Sequence, residues 1–499
     1  MEVWQQDWSE KWSLYSPDKV AVKEYETGRT LTYGDWYRLG NRLARRWQQQ
    51  YGLEKGDRIA VLAEFSLEYI IMLGAAQKTG CVLVPLNYRL AAAEIDYLLS
   101  DAQPKLVIAE EKFSHLLRFD GPSIDLKTLE QLLDPTRPDD DDRPFPVVPV
   151  DENDPVFIIY TSGTTGFPKG ALYTHKMLFW NSINTSISLI INTESRTLNV
   201  MPPFHTGGLN VLLTPFLHHG AYTCLLKKFD AAAALQLLQA ERCTLFMGVP
   251  TILQMMAREA AFEQATFPDM KYLIVGGEPM PIPLIERWNS KNVPVRQGYG
   301  MTEVGPNLTS LHQDDAIRKK GSIGRPNFYV QIRIVDEQGN DQPPGGAPGE
   351  LWLKGPMVTP GYWNNPEGTQ KAFSPDGQWF RTGDELYQDE EQYLYVVDRI
   401  KNMYKSGGEN VYPAEIERVL IQLEDALEVA VVGVPDEKWG EAGKAFLVKK
   451  EGSALTETGV LEYCRQQLAK FKVPKYVQFT EAIPKTDSGK INRNLLKKT

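Results

Sequence analysis

Thr161-Ser-Gly-Thr-Thr-Gly-Phe-Pro-Lys-Gly170 follows the apolar run Val156-Phe-Ile-Ile-Tyr160 and leads into Ala171-Leu-Tyr173. The loop holds three glycines, four hydroxyl side chains and one lysine. Glycine lets backbone N–H groups approach an anion closely, hydroxyls donate to phosphate oxygens, and Lys169 adds positive charge. The stretch therefore reads as a phosphate cradle that follows a strand. It is not a Walker loop, because Gly163 and Gly166 are too close together and no Gly-Lys-Ser/Thr opens a helix.

Outward from this loop, helix and strand alternate. Thr32 can cap a helix whose apolar positions Trp36, Leu39, Leu43 and Trp47 recur at helical spacing, with Gly52 to end it. Residues 58–63 read as a strand, 66–78 as a helix ended by Gly80, 81–84 as a strand, 91–99 as a helix and 105–109 as a strand. Strands separated by helices imply crossover connections and a mainly parallel sheet. The acidic, proline-rich residues 134–146 read as a solvated loop with no function. Beyond the phosphate loop, residues 200–205, 245–250 and 272–277 each end a strand, and in open α/β sheets ligands bind beyond the carboxyl ends of strands. Residues 333–354 alternate in the β manner around Gln342-Pro-Pro-Gly-Gly-Ala-Pro-Gly349 and read as a small β subdomain. After Arg399 the texture becomes that of a compact α+β unit of about a hundred residues.

Composition narrows the class. A chain of 499 residues, 42% hydrophobic and 24% charged, is globular and longer than one core usually supports. A formal net charge of −10 without basic stretches interleaved with aromatics speaks against nucleic acid. The first residues lack the basic and apolar regions of a signal peptide, and no run is long and apolar enough to span a bilayer. Cys81, Cys224, Cys243 and Cys464 are scattered and form no Cys-x-x-Cys pair, so buried reduced thiols and a cytoplasmic setting are expected. A homodimer is left open.

Six further motifs follow the loop in order: Pro202-Pro-Phe-His-Thr-Gly-Gly-Leu209, Gly298-Tyr-Gly-Met-Thr-Glu303, Arg381-Thr-Gly-Asp384, Asp398-Arg-Ile-Lys401, Ser406-Gly-Gly-Glu-Asn-Val-Tyr-Pro-Ala-Glu-Ile-Glu417 and Pro484-Lys-Thr-Asp-Ser-Gly-Lys490. Together they resemble the acyl-adenylate-forming superfamily, in its acyl-CoA ligase branch, over nearly the whole chain. The resemblance implies an α/β N-terminal domain of mainly parallel sheets with a β subdomain, residues 1–400. A hinge at Lys401 would join it to a small α+β domain, residues 401–499. It also implies two steps: ATP and a carboxylic acid form an acyl-adenylate and pyrophosphate, then a thiol, usually that of coenzyme A, displaces AMP.

By the same resemblance, Thr161, Ser162, Gly163, Thr164, Thr165 and Lys169 would hold the β- and γ-phosphates, Thr302 the α-phosphate and Glu303 a Mg²⁺ ion. Asp384 would accept the ribose hydroxyls and Arg399 would contact ribose or phosphate. Tyr299, between Gly298 and Gly300, would lie against adenine with Gly276, Gly277 and Gln297 around it. Lys490 would bridge the acyl carboxylate and the α-phosphate. His205 would orient and gate at the carboxylate rather than transfer a proton. After rotation about Lys401, Gly407 and Gly408 would line a pantetheine tunnel, with Trp439, Phe471, Lys472 and Lys475 near coenzyme A. Glu278 departs from the alanine of many relatives and would meet the adenine amino group or the acyl entrance, or else point to solvent.

Amino-acid-activating relatives carry an aspartate in the motif that here spans 202–209; this chain has His205 and no acid. Residues 207–211, 246–250 and 300–306 are glycine-rich and largely apolar, without a cation for a second carboxylate. A hydrophobic monocarboxylic acid follows, a medium- or long-chain fatty acid in preference to an aryl acid or 2-succinylbenzoate. Rival readings are acyl transfer to a carrier protein, a luciferase-like oxidation, and a nucleotide-binding protein without catalysis.

Overall fold

The computed structural model describes residues 6–137, 139–161, 168–406, 409–468, 470–486 and 489–498. The helix predicted from Thr32 runs Tyr33–Tyr51, with the Thr32 hydroxyl accepting from the Asp35 N–H and Gly52 closing it. The next, Leu67–Thr79, is buried at every position. A helix apolar all round must lie inside the protein. One apolar cluster accordingly joins Ile70 and Leu73 to Ile59, Leu83 and Phe157 on one sheet and to Val22 and Leu225 on another.

The first sheet has six strands, in spatial order Ser123–Asp125, Leu106–Ala109, Arg58–Leu62, Val82–Pro85, Pro155–Thr161 and Lys169–Thr174. Its pairs are parallel except the last, which brackets the glycine-rich loop. The second has nine strands. Its parallel centre runs Val295–Tyr299, Tyr272–Val275, Leu245–Gly248, Arg196–Asn199, Tyr222–Leu225 and Val20–Glu24, with antiparallel edges. The carboxyl ends of these central strands all lie on one side.

The β subdomain is a four-stranded antiparallel sheet, Gln331–Val335, Gly349–Lys354, Phe380–Gln388 and Leu394–Arg399, so it extends well beyond residues 333–354. The α+β unit pairs Ala426–Asp436 with Gly440–Lys449, and helices Pro413–Leu420 and Glu457–Gln467 share its core. Among the described residues no helix is long and apolar enough to cross a membrane.

The acidic stretch 134–146 is not a freely solvated loop. Helix Tyr33–Tyr51 turns Arg38, Arg42, Arg45 and Arg46 toward it. Arg42, 1% exposed, meets Asp142 at 2.6 Å and the carbonyls of Leu132 at 2.8 Å and Arg137 at 2.6 Å. Arg38 reaches Asp142 at 2.8 Å, and Arg46 reaches Asp139 at 2.5 Å. Positions four apart on a helix share a face, and a buried guanidinium needs anionic and carbonyl partners. The charge run supplies them.

Candidate active site

Strand Val295–Tyr299 delivers the first groups. Gly300 follows it where an added Cβ would lie 1.7 Å from the Pro306 carbonyl oxygen, so only glycine fits the turn into the short helix Thr302–Val304. That turn buries the Glu303 carboxylate, which accepts from the Tyr362 hydroxyl at 3.0 Å and the Thr161 hydroxyl at 3.4 Å. Lys169 lies over the Tyr362 ring at 5.2 Å. Among the described residues Glu303 pairs with no cation at salt-bridge distance, and no three metal-ligating side chains converge. One buried, anionic oxygen donor fits Mg²⁺, which commonly takes one or two carboxylates together with substrate phosphates and water.

Tyr299 is half-buried, and its hydroxyl donates to Asp384 Oδ2 at 2.5 Å. Burial and the neighbouring carboxylate push this phenol well above its ordinary pKa, so it stays a donor. Among the described residues buried Asp384 Oδ1 has no hydrogen-bonded partner, and Arg399 Nε faces it at 3.1 Å as an ion pair. An anionic acceptor with an unfilled lone pair suits a ribose hydroxyl. The loop after Tyr272–Val275 comes alongside, turned by Gly277 at φ +88°.

Gln297 does not present its amide to this space. Its Oε1 accepts from the Met280 N–H at 2.9 Å and its Nε2 donates to the Ser322 carbonyl at 3.4 Å. Both ends of the buried amide are thus occupied in holding the 276–280 loop. Glu278 does not point to solvent. Burial raises its carboxyl pKa, opposed by the charge of Lys490 and by the backbone N–H of Ile491.

Lys490 arrives from the far end of the chain on a small hairpin. Lys485 bridges Ile491, the Thr486 N–H donates to the Lys490 carbonyl at 2.6 Å, and the Gly489 N–H donates to the Thr486 carbonyl at 2.8 Å. Burial, with Arg399 nearby, lowers the Lys490 pKa, while Glu278, Asp384 and Glu303 pull it back. Arg493, two residues beyond the bridge, forks onto Glu417 at 2.7 and 2.8 Å and ties the hairpin to the α+β unit.

His205 caps the helix Thr206–Leu209 and meets the Phe204 ring edge-on at 4.6 Å. Among the described residues its buried Nε2 has no hydrogen-bond partner. Burial, reinforced by Lys490 and Arg89, holds the imidazole pKa down to about 4. It is therefore neutral across physiological pH. Replacing it by phenylalanine is expected to slow thioester formation less than about tenfold, below the 10²–10⁴ of a general base. The rate between pH 5 and 8 should keep its shape in that variant, measured from supplied acyl-adenylate.

A small cavity, about 10 Å³, lies among Met201, Gly207, Gly208, Leu212, Leu213 and Met247. Trp439 and Phe471 are 45% and 39% exposed, and Lys472 pairs with Glu415 at 2.5 Å. Among the described residues no ring or ion contact joins these three to Tyr299, Asp384 or Lys490. Ser162, Gly163, Thr164, Thr165, Gly407 and Gly408 lie outside the described residues. Tyr362 escaped the sequence reading: its hydroxyl reaches Glu303 across 59 positions, a pairing no local spacing signals.

Comparison with known proteins follows the same outline. The AMP-binding enzyme family matches residues 9–363, and the AMP-binding enzyme C-terminal domain matches residues 415–490. Long-chain-fatty-acid–CoA ligase FadD13 of Mycobacterium tuberculosis is 38% identical over 492 residues, covering 97% of this chain and 95% of its own length. Feruloyl-CoA synthase of an Amycolatopsis species is 37% identical over 484 residues, covering 97% and 96%. Among solved structures, ATP-bound MatB of Rhodopseudomonas palustris superposes with TM-score 0.89 at 30% identity, covering 99% and 98%. The apo form of that protein reaches 0.79 at 30% identity, over 100% and 99%.

Proposed function

This chain belongs to the AMP-binding enzyme family, as an AMP-forming acid–CoA ligase, and from that premise we propose that its acid is a hydrophobic monocarboxylate, first a medium- or long-chain fatty acid. The observation that carries the reading is that the charges of Arg399, Asp384 and Glu303, groups 91 to 187 positions away in sequence, all act on Lys490.

A carboxylate is a poor electrophile, because its carbonyl carbon adjoins delocalised negative charge. In the first step its oxygen attacks the α-phosphorus of ATP, the bond to the β-phosphate bridge breaks, and pyrophosphate leaves. The enzyme's part is to place charge where charge develops. Lys490 faces the acyl carboxylate and α-phosphate, Lys169 the outer phosphates, and Thr302 the α-phosphate. Asp384 and Tyr299 hold the nucleoside. Glu303 would hold Mg²⁺, which neutralises phosphate charge. In the second step the thiol of coenzyme A attacks the acyl carbon, AMP leaves, and the thiol proton passes to solvent.

No enzyme nucleophile is required. All four cysteines are buried and free, and burial pushes the Cys81 and Cys464 thiols to about 11 and Cys224 to about 12, far from a reactive thiolate. For the thiol step the C-terminal unit would turn about Lys401, carrying Lys490 out and the face of Gly407, Gly408, Trp439, Phe471 and Lys472 in.

The absence of an acid from residues 202–209 and the largely apolar cavity beside Gly207 support a hydrophobic acyl group. An aryl acid is the second reading. The small cavity favours it, since Met201 and Met247 would have to move for a long alkyl chain, and one relative is named for the feruloyl group. The test is pyrophosphate and AMP release with Mg-ATP across acids from acetate to palmitate, plus benzoate and 2-succinylbenzoate, with and without coenzyme A. A coenzyme A-stimulated maximum along the alkyl series establishes the first reading. A maximum among the aryl acids establishes the second, and release indifferent to coenzyme A would point to a carrier-protein acceptor.

A further inference from the structure

Tyr362 has no part in the two steps above, yet it touches both charged groups assigned to the metal and the outer phosphates. It stands on a segment that runs along the edge strand Lys169–Thr174. Tyr362 bridges Ala171 in the antiparallel sense, the Trp363 N–H donates to the Gly170 carbonyl at 2.7 Å, and the Leu172 N–H donates to the Gly361 carbonyl at 3.1 Å. The same segment holds the turn that carries Glu303: the Thr359 N–H donates to the Glu303 carbonyl, and the Thr359 hydroxyl to the Leu172 carbonyl, each at 2.7 Å. Main-chain bonds thus fix Tyr362 against both neighbours.

Its side chain makes two different contacts. The hydroxyl donates to Glu303 Oε1 at 3.0 Å, the oxygen that also accepts from Thr161 at 3.4 Å. Among the described residues no hydrogen bond or ion pair reaches Oε2. The ring holds Lys169 Nζ 5.2 Å from its centre, within the range at which an aromatic face attracts a cation. Lys169 and Glu303 therefore share one side chain, yet among the described residues they form no ion pair with each other.

We propose that Tyr362 is a positioning residue: its hydroxyl fixes one oxygen of Glu303 and leaves the other for the cation, and its ring keeps Lys169 from pairing with Glu303. The inference rests on the ligase reading above, in which Glu303 takes Mg²⁺ and Lys169 the outer phosphates. A lysine that closed onto the carboxylate would satisfy both charges inside the protein and withdraw both from the nucleotide. An aromatic ring with a hydroxyl at its edge holds each group and keeps them apart. A hydrogen-bond donor behind a metal-binding carboxylate also sets the direction of its remaining lone pairs.

The test is nucleotide binding by calorimetry without any acid, so that no turnover contributes, using ATP with titrated Mg²⁺, ATP with EDTA, and AMP. In Tyr362→Phe the Mg²⁺ concentration that half-maximally tightens ATP should rise about tenfold or more, the scale for removing a group that orients a metal ligand. Its binding of AMP and of ATP in EDTA should match wild type, because the ring still separates Lys169 from Glu303. Tyr362→Leu removes the ring as well. There the Mg²⁺ requirement should rise further and ATP in EDTA should bind more weakly, since Lys169 is drawn to Glu303. Tyr362→Met makes the same comparison if the leucine variant does not fold. An unchanged Mg²⁺ requirement in Tyr362→Phe, or AMP weakened as much as ATP, would overturn the positioning role. Equal effects of phenylalanine and leucine would overturn the separation of the two charges. Glu303→Gln run in parallel distinguishes this inference from the reading beneath it. If it leaves the Mg²⁺ requirement unchanged, the assignment of Mg²⁺ to Glu303 fails; if it raises that requirement while Tyr362→Phe does not, the role of Tyr362 alone fails.

Discussion

Replacing Lys490 by alanine is expected to lower acid-dependent pyrophosphate release by about 10²- to 10³-fold, the scale for removing one preorganised charged donor. Acyl-CoA formation from supplied acyl-adenylate should survive, because the hairpin that carries Lys490 would have left the site by then. Separate assays of the two half-reactions decide it, and equal loss in both would remove Lys490 from the chemistry of the first. The pH dependence has a defined sign. Burial and Arg399 bring the Lys490 pKa below that of an ordinary lysine, with Glu278, Asp384 and Glu303 opposing. The ammonium is the useful form, so adenylation should fall as pH rises through that lowered pKa. The limb should vanish in Lys490→Ala.

Glu303→Gln is the second large effect, a loss of on the order of 10²-fold or more in adenylation. Glutamine keeps the shape and can still accept from Tyr362 and Thr161, which hold the carboxylate at 3.0 and 3.4 Å. What it lacks is the negative charge that would hold Mg²⁺ beside the phosphates. The variant should therefore need more Mg²⁺ for half its maximal rate. A lower rate with an unchanged Mg²⁺ requirement would mean that Glu303 supports the turn at Thr302 and does not ligate the ion. Formation of acyl-CoA from acyl-adenylate, which transfers no pyrophosphate, should respond less.

Much of this was legible in the sequence for local reasons. Thr32 and Gly52 bound a helix because a hydroxyl and a glycine satisfy helix ends wherever they stand. The alternation of strand and helix implied a parallel sheet because parallel strands require crossovers. The motifs named Thr161, Glu303, Asp384, Arg399 and Lys490 by their order along the chain. The partners of the Gln297 amide, Met280 and Ser322, were not legible, because only the packed loop shows them. Tyr362 and the partners of the acidic stretch were likewise beyond reach, since a hydroxyl or an arginine face does not announce its partner through sequence distance.

By itself, then, the chain's sequence determined the layered α/β class and the family, and it named the groups proposed to carry charge to the nucleotide, because those depend on residue type and short-range spacing. Only the tertiary structure decided that Arg399 faces Asp384 Oδ1, that burial lowers the His205 pKa, and that the Tyr362 hydroxyl meets Glu303. These are properties of burial and of contacts between distant segments. Desolvation and hydrogen-bond geometry exist only once the two units of the chain have packed together.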